Sequence, residues 1–236
     1  VVSEATRNDV IRILGVSPDR VTNTYQSVSV PRALTEKADS DVAAEVEGIF
    51  NLGFKDYFLY FGAIEPKKNL ARIVEAYLAS GSKRPLVVIG GRAWLEEEET
   101  ALMAQSLKHR PADEIPRIRQ YDFMPFAMLV SLIRGARGTL FPSLYEGFGL
   151  PVLESMLLGT PVLTSTAASL PEVAGNAALM VDPYDTPAMA NGIRTLDADD
   201  DVVADLIQRG RLQAARFSPE AYQARLASLY KGLGAL

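Results

Sequence analysis

The chain has 236 residues, of which 48% are hydrophobic, and a formal net charge of −5. This composition is sufficient for a substantial globular core, and the acidic balance argues against binding to nucleic acid, which favours a basic face. There is no cysteine, which excludes disulfides and thiolate metal sites and is typical of a reducing compartment such as the cytoplasm. Neither a membrane span nor a signal peptide is predicted, because no long apolar run and no basic, apolar leader pattern is found.

The first 54 residues do not have the pattern of a complete domain. A helical pattern covers residues 3–14 and a β-prone piece covers residues 20–30, but together they are too small to form a core. Residues 31–54 are polar and irregular, with one short helix predicted at residues 40–50. We interpret residues 31–54 as a linker or a lid.

From residue 56 onward, predicted strands and helices alternate. The strands are expected at residues 57–61, 86–89, 118–121, 139–141, 161–164 and 178–181. The helices are expected at residues 69–79, 96–108, 125–135, 150–158, 186–196, 200–216 and 219–233. This alternation predicts an α/β fold with a doubly wound, Rossmann-like parallel sheet, in which ligands bind at the carboxyl ends of the strands.

Residues 141–154 have the layout of a binding site and read Phe-Pro-Ser-Leu-Tyr-Glu-Gly-Phe-Gly-Leu-Pro-Val-Leu-Glu. Glu146 precedes a tight turn permitted by Gly147 and Gly149, and Glu154 lies inside the helix that the turn opens. The start of a helix has unpaired N–H groups and a partial positive charge that favour phosphate. Such a turn can hold a diphosphate between two acidic hydroxyl-binding residues, and sugar nucleotides present that combination of groups.

The spacing of the two glutamates resembles the signature of family 4 retaining glycosyltransferases, which have the two-domain GT-B fold. Residues 60–69, Tyr-Phe-Gly-Ala-Ile-Glu-Pro-Lys-Lys-Asn, resemble the family's first strand and phosphate-contacting loop. Residues 159–163 and 169–175 resemble its next strand and the loop that follows. The resemblance implies that residues 55–236 form the C-terminal, donor-binding half of a GT-B fold. Residues 1–54 would be the end of the N-terminal domain and the interdomain linker.

The resemblance also implies a role for each residue of the glutamate motif. Glu154 would accept hydrogen bonds from the ribose hydroxyls of the nucleotide, and the alternative is a surface glutamate favoured by the helix dipole. Glu146, the catalytic candidate, would contact the transferred sugar near its anomeric carbon, and the alternative is a loop residue paired with a lysine. Backbone groups of Phe148, Gly149 and Leu150 would reach sugar hydroxyls and phosphate, whereas the side chains of Phe148 and Leu150 are also candidates for core packing.

The implied phosphate site departs from the family pattern at one position. Lys68 matches the lysine that neutralises the diphosphate, and Gly62 matches the glycine at the end of the first strand. The family usually has an arginine directly after this glycine, where the present chain has Ala63. Lys67 is the natural substitute for that arginine, and Arg92 is a weaker candidate.

Three further features have weaker interpretations. Phe123 falls where the family packs a loop against the nucleotide base, with core packing as the alternative. His109 is interpreted as a surface charge at a helix end. The acidic run at residues 197–201 is interpreted as helix N-capping rather than as a metal site. No metal and no cofactor is predicted, because GT-B enzymes generally act without a bound metal.

The implied activity is retaining transfer of a hexose from a nucleotide-diphosphate sugar to a saccharide or lipid-linked acceptor. Mannose is favoured, because the Gly-x-Ile-Glu-Pro-x-Lys-Asn form is often seen in bacterial polysaccharide mannosyltransferases. The expected partners are the donor, the acceptor and an N-terminal GT-B domain. Any contact of the cytoplasmic enzyme with the inner face of a membrane would be made only through that domain. Two alternatives stay open: a nucleotide-sugar-binding module inactive by itself, and a GT-B-fold phosphorylase or epimerase.

Overall fold

The computed structural model describes residues 1–91 and 117–234. Within these ranges the strands are β1 (Phe58–Phe61), β2 (Leu86–Ile89), β3 (Ile118–Tyr121), β4 (Gly138–Phe141), β5 (Val162–Ser165) and β6 (Leu179–Val181). The α-helices are α1 (Glu4–Leu14), α2 (Arg32–Thr35), α3 (Asp39–Phe50), α4 (Leu70–Ser80), α5 (Phe126–Gly135), α6 (Leu150–Leu157), α7 (Leu170–Ala174), α8 (Thr186–Ala198), α9 (Asp200–Ala215) and α10 (Pro219–Gly232). Among the described residues, no helix is long and apolar enough to cross a membrane.

The strands form one parallel sheet in the order β3-β2-β1-β4-β5-β6. The chain direction across the sheet reverses between β1 and β4, and ligands of doubly wound folds bind at this switch point. Strands β1, β2, β4 and β5 are buried at every position. Full burial is expected when helices cover both faces of a parallel sheet. The predicted doubly wound, Rossmann-like fold is therefore confirmed.

The core has two parts, one on each face of the sheet, and the alternation of side chains along β1 separates them. Phe58 and Tyr60 pack with helices α4, α6, α8 and α9. Leu59 and Phe61 pack with α3 and α5 on the other face. This alternation follows from the two-residue period of a strand. Every second residue of β1 therefore packs against the same layer of helices.

The predicted elements agree with the observed ones to within one or two residues, apart from two segments. The predicted helix at residues 96–108 lies outside the described residues. The β-prone piece at residues 20–30 is not a strand of the sheet. Instead, its Val28 N–H donates to the carbonyl of Phe217, and the Val28 side chain is buried in the core. Val28 therefore packs beside the connection between the last two helices, and the β propensity of this segment is not expressed as sheet pairing.

The acidic run at residues 197–201 caps a helix and pairs with arginines. The Asp199 side chain accepts a hydrogen bond from the Val202 N–H at the start of α9. Asp197 pairs with Arg84, and Asp200 pairs with Arg137. The N-capping interpretation is therefore confirmed for Asp199.

Candidate functional site

The loops that follow β1 and β4 are hydrogen-bonded to each other at the carboxyl edge of the sheet. The Leu144 N–H donates to the Lys67 carbonyl over 2.7 Å. The buried Asn69 amide donates to the carbonyls of Pro142 and Pro183 over 3.0 and 2.8 Å. These bonds bring the predicted phosphate loop and the predicted glutamate motif together, although they are about 80 residues apart in the chain.

The glycine at the end of β1 permits a close backbone approach. Gly62 has φ +140°, in a region that L side chains rarely adopt. Its carbonyl oxygen lies so near Gly90, which follows β2, that a Cβ at Gly90 would clash with it. Glycines at both strand ends therefore let two neighbouring loops turn away from the sheet at the same place.

Lys68 and Glu146 form a buried ion pair at this edge. The Lys68 Nζ atom lies 2.6 Å from Glu146 Oε1, and their side chains are 13% and 10% exposed. Nζ also lies 5.1 Å from the centre of the Phe141 ring, which ends β4. The alternative for Glu146 was a loop residue paired with a lysine. Such a pair is present, and its lysine is the one that the family resemblance assigns to the phosphate. The pair places a cation and a carboxylate side by side at the switch point.

Hydroxyl groups hold the turn after Glu146 in place. The buried Ser169 Oγ lies 2.9 Å from the Glu146 carbonyl and 2.8 Å from the Phe148 carbonyl. Ser3 Oγ, at the N-cap of α1, donates to the Gly147 carbonyl over 2.7 Å. Three successive carbonyls of the turn therefore lie within hydrogen-bond distance of a serine hydroxyl, and Ser169 shares its single O–H donor between two of them. Ser3 and Ser169 are not among the predicted site residues, although Ser169 lies in a segment that carries the family resemblance.

The two glycines of the turn differ in their backbone conformation. Gly149 has φ +111°, and a Cβ at this position would lie 2.8 Å from Leu170 Cδ2. It meets both conditions that favour glycine, positive φ and close approach. Gly147 has neither, because its φ is not positive and its nearest neighbour would be Thr6 Oγ1 at 3.9 Å.

Glu154 lies in the second turn of α6, in an environment that is unusual for a carboxylate. Its side chain is largely buried, and no hydrogen-bond or ion-pair partner for it is found among residues 1–91 and 117–234. Burial raises the pKa of this carboxyl above its usual value of 4.5. The alternative of a solvated surface glutamate is therefore wrong. A desolvated, unpartnered carboxylate is able to accept hydrogen bonds from a ligand without first losing protein partners.

Phe148 and Leu150 lie on either side of Gly149 but differ in their surroundings. The Phe148 side chain is 4% exposed and packs with the rings of Tyr25 and Phe217, at centroid distances of 6.3 and 5.6 Å. Core packing is therefore confirmed for Phe148, whose backbone still forms the turn. Leu150, at the start of α6, is 37% exposed, so core packing is wrong for this residue.

The remaining predicted site residues lie at the rim or outside the described part of the chain. Lys67 is half exposed, and its Nζ atom lies 3.5 Å from Glu65 Oε2. Phe123 follows β3 and is 91% exposed, so core packing is wrong for it as well. It lines a cleft of about 600 Å³ together with Gly91, Gln120 and Asp122. Arg92 and His109 lie outside the described residues.

Solved structures share this fold. Sucrose-phosphate synthase from Thermosynechococcus elongatus superimposes with a TM-score of 0.78 at 22% identity, over 100% of this chain and 58% of its own. HepE from Anabaena, in complex with UDP and glucose, gives a TM-score of 0.83 at 18% identity, over 99% and 62%. These likenesses confirm the Rossmann-like α/β fold seen in GT-B glycosyltransferases.

Sequence comparisons identify the family. O-antigen chain mannosyltransferase B of Escherichia coli is 32% identical over 98% of this chain and 59% of its own length. O-antigen chain mannosyltransferase RfbU of Salmonella typhimurium is 25% identical over 92% of this chain and 54% of its own length. The chain thus spans somewhat more than half the length of these relatives. Residues 49–213 match the family described as glycosyl transferases group 1, and the chain belongs to that family.

Proposed function

We propose that this chain is the donor-binding half of a retaining glycosyltransferase that transfers a hexose from a nucleoside diphosphate to a saccharide or lipid-linked acceptor. The observation that carries the proposal is Glu154, a desolvated carboxylate without a protein partner among the described residues, in the helix that follows the Glu146 turn. Mannose is the favoured sugar, because two of the similar proteins are O-antigen mannosyltransferases. The predicted cytoplasmic location stays part of this proposal.

The nucleotide would be held through its ribose. The two oxygens of Glu154 suit two vicinal hydroxyls, and hydrogen bonds to a charged group contribute about 1.5–3 kcal/mol each. The ligand hydroxyls would replace water at a carboxylate that burial has already partly desolvated. Phe123, exposed after β3 at the same sheet edge, would flank the base. The HepE structure is a complex with UDP and glucose, which supports a nucleotide and a sugar on this fold.

The diphosphate would lie between the start of α6 and Lys68. Helix starts favour phosphate through their free N–H groups and partial positive charge, and Gly149 lets the backbone turn at this point. Lys68 would share its charge between the diphosphate and Glu146. Lys67 follows the same strand and would supply the second cation in place of the arginine that the family has at position 63. Gly62 would leave room for the phosphate beside these lysines.

Glu146 would act on the sugar. Departure of the diphosphate leaves positive charge at the anomeric carbon, and a carboxylate held beside it stabilises that charge. The same step builds negative charge on the leaving diphosphate, which Lys68 and the start of α6 would stabilise. The ion pair between Lys68 and Glu146 supports this assignment, because it holds a cation and a carboxylate side by side. Ser169 would keep the Glu146 backbone in the required place.

A transfer assay tests the proposal and separates it from its alternatives. The chain is incubated together with the N-terminal GT-B domain that the proposal requires, GDP-mannose or UDP-glucose, and a mannose oligosaccharide. The anomeric configuration of the product is compared by NMR with that of the donor. Elongation with the donor configuration kept supports the proposal, and Glu146→Gln is expected to abolish it. Elongation with inverted configuration contradicts it.

The remaining outcomes each identify an alternative. Sugar phosphate formed on addition of free phosphate indicates a phosphorylase. Conversion of one donor into another without an acceptor indicates an epimerase. Donor binding without any turnover even when the N-terminal domain is present indicates a nucleotide-sugar-binding module. The chain alone is expected to bind the donor without turnover under either reading, because both walls of the active site are needed to exclude water.

A further inference from the structure

A second polar cavity lies at the amino edge of the sheet, opposite the edge that carries Glu146. It has a volume of about 420 Å³. Lys55 lines it just before β1, Arg134 lines it near the end of α5, and Gly159 lines it between α6 and β5. All three positions lie a few residues before a strand begins, at its amino end. Lys68 and Glu146 lie a few residues after a strand ends, at its carboxyl end. The cavity is therefore separate from the candidate donor site.

Among the described residues that line this cavity, the charged ones are three cations and one carboxylate, Asp39, which together carry a net positive charge. The Lys55 Nζ donates to the Arg134 carbonyl over 2.5 Å, which leaves two of its three donors. Burial is the main cause that lowers the pKa of Lys55 to about 8; the charges of Arg134, Arg137 and Arg211 contribute to this shift, and Asp39 opposes it. These groups repel one another across the cavity, and an anion placed among them would relieve that repulsion.

The wall beside Lys55 is built by a buried arginine. Arg134 is 9% exposed and donates to the carbonyls of Leu34 and Lys37 over 2.9 and 2.7 Å. It also pairs with Asp39 at 2.6 Å. These bonds join the segment around α2 to helix α5, which carries Arg134 and forms this wall of the cavity. The ion pair also offsets part of the negative charge that Asp39 brings to the cavity.

The third cation, Arg211, is available to a ligand. Its guanidinium Nη2 lies 3.2 Å from the position that a Cβ would take at Gly159, so the side chain reaches across the end of α6 toward the cavity. No hydrogen-bond or ion-pair partner for Arg211 is found in the part of the chain that the structure describes. A guanidinium offers five donors in a planar fork, which suits phosphate.

We propose that this cavity binds a phosphate group, held by Lys55 and Arg211 against the wall formed by Arg134. An apolar groove of about 330 Å³ adjoins the cavity, and Leu157 and Thr35 line both. The phosphate therefore belongs either to a free anion or to a lipid headgroup whose chain lies in the groove. This proposal does not rest on the proposed transferase activity.

Thermal unfolding with inorganic phosphate tests the site, with sodium chloride of equal ionic strength as the reference. We expect the melting temperature of the chain to rise and saturate with phosphate. Arg211→Ala is expected to lower the phosphate affinity about tenfold or more, since it removes a charged hydrogen-bonding group. Arg209→Ala is the matched control, because Arg209 lies on the same helix, is exposed and is already paired with Asp205.

Sedimentation with vesicles distinguishes the two sources of phosphate. Phosphatidylcholine vesicles with and without phosphatidic acid are compared for the wild type, Arg211→Ala and Arg209→Ala. Capture only by phosphatidic acid, lost in Arg211→Ala alone, identifies a lipid headgroup, whereas saturation by inorganic phosphate without capture identifies a free anion. The proposal is overturned if neither probe binds, or if both arginine variants bind as well as the wild type.

Discussion

The Lys68 ammonium lies 2.6 Å from the Glu146 carboxylate, and this contact joins two loops whose residues are 78 positions apart. Both partners are almost excluded from water. The cation predicted for the diphosphate and the carboxylate predicted for the sugar are therefore one electrostatic unit. A change to either charge is expected to alter both the free energy of unfolding of the chain and its affinity for the nucleotide sugar.

Removal of the cation tests this unit. Lys68→Met leaves the Glu146 carboxylate buried without its partner, and we expect the free energy of unfolding to fall by about 3–5 kcal/mol. Lys67→Met is the control, because Lys67 is about half exposed and its loss is expected to change stability by less than about 1 kcal/mol. Urea unfolding measures both variants. Equal effects of the two substitutions would contradict a buried pair.

The ionised Glu154 carboxylate is expected to lower the free energy of unfolding of the chain, although it is proposed to bind the nucleotide. Because its folded-state pKa is raised, its ionisation opposes folding, and the penalty appears as the pH rises from 4.5 through the folded-state pKa. Glu154→Gln removes that penalty, so the variant should be more stable than the wild type at about pH 7.5. At pH 4.5 and below the difference should be smaller, since the wild type is then mostly protonated when folded.

Urea unfolding at the two pH values measures this dependence, and Glu47→Gln in α3 serves as the exposed control with no pH-dependent gain. A wild type more stable than Glu154→Gln at the higher pH would show that the carboxylate has a protein partner after all.

Gly149 is expected to be intolerant of a side chain. Gly149→Ala places a Cβ at φ +111° and 2.8 Å from Leu170 Cδ2, so a loss of about 1–3 kcal/mol in the free energy of unfolding is expected. Gly48→Ala lies in α3 with open space around the added methyl, where a gain of about 0.5–1 kcal/mol is expected. Thermal unfolding of both variants gives the comparison. Stabilisation by both substitutions would be incompatible with the described turn.

Ser169 is expected to position the turn that follows Glu146. Ser169→Ala leaves the buried carbonyls of Glu146 and Phe148 without this hydroxyl and should cost about 1–3 kcal/mol. The affinity for a nucleoside diphosphate should fall as well, because the turn is no longer fixed. Ser29→Ala, at an exposed serine, is expected to stay within about 0.5 kcal/mol of the wild type. Unchanged unfolding and affinity in Ser169→Ala would contradict this role.

The sheet was predictable because its strands are short apolar runs between turn residues, and the observed strands β2 and β3 coincide with the predicted ones. The meeting of Lys68 and Glu146 was predictable only in part. Motif resemblance placed both at the carboxyl edge, but their direct contact depends on how two loops pack in three dimensions.

Other features depend on packing that residue type does not specify. Phe123 is exposed although it is aromatic, and the piece at residues 20–30 packs on helices although it is β-prone. Ser3 and Ser169 bond to the glutamate turn from distant parts of the chain. A serine hydroxyl can bond to almost any nearby backbone group, so the spacing of serines in the sequence does not predict their hydrogen-bond partners.

The most direct test of the account is a calorimetric titration of this chain with GDP, UDP and ADP, repeated on Glu154→Ala and on the exposed control Glu47→Ala. We predict that one nucleotide binds selectively, that Glu47→Ala binds it equally well, and that Glu154→Ala loses about ten- to a hundredfold in affinity. Binding that is unchanged in Glu154→Ala, or no binding of any nucleotide to the wild-type chain, would contradict a donor site built around this carboxylate.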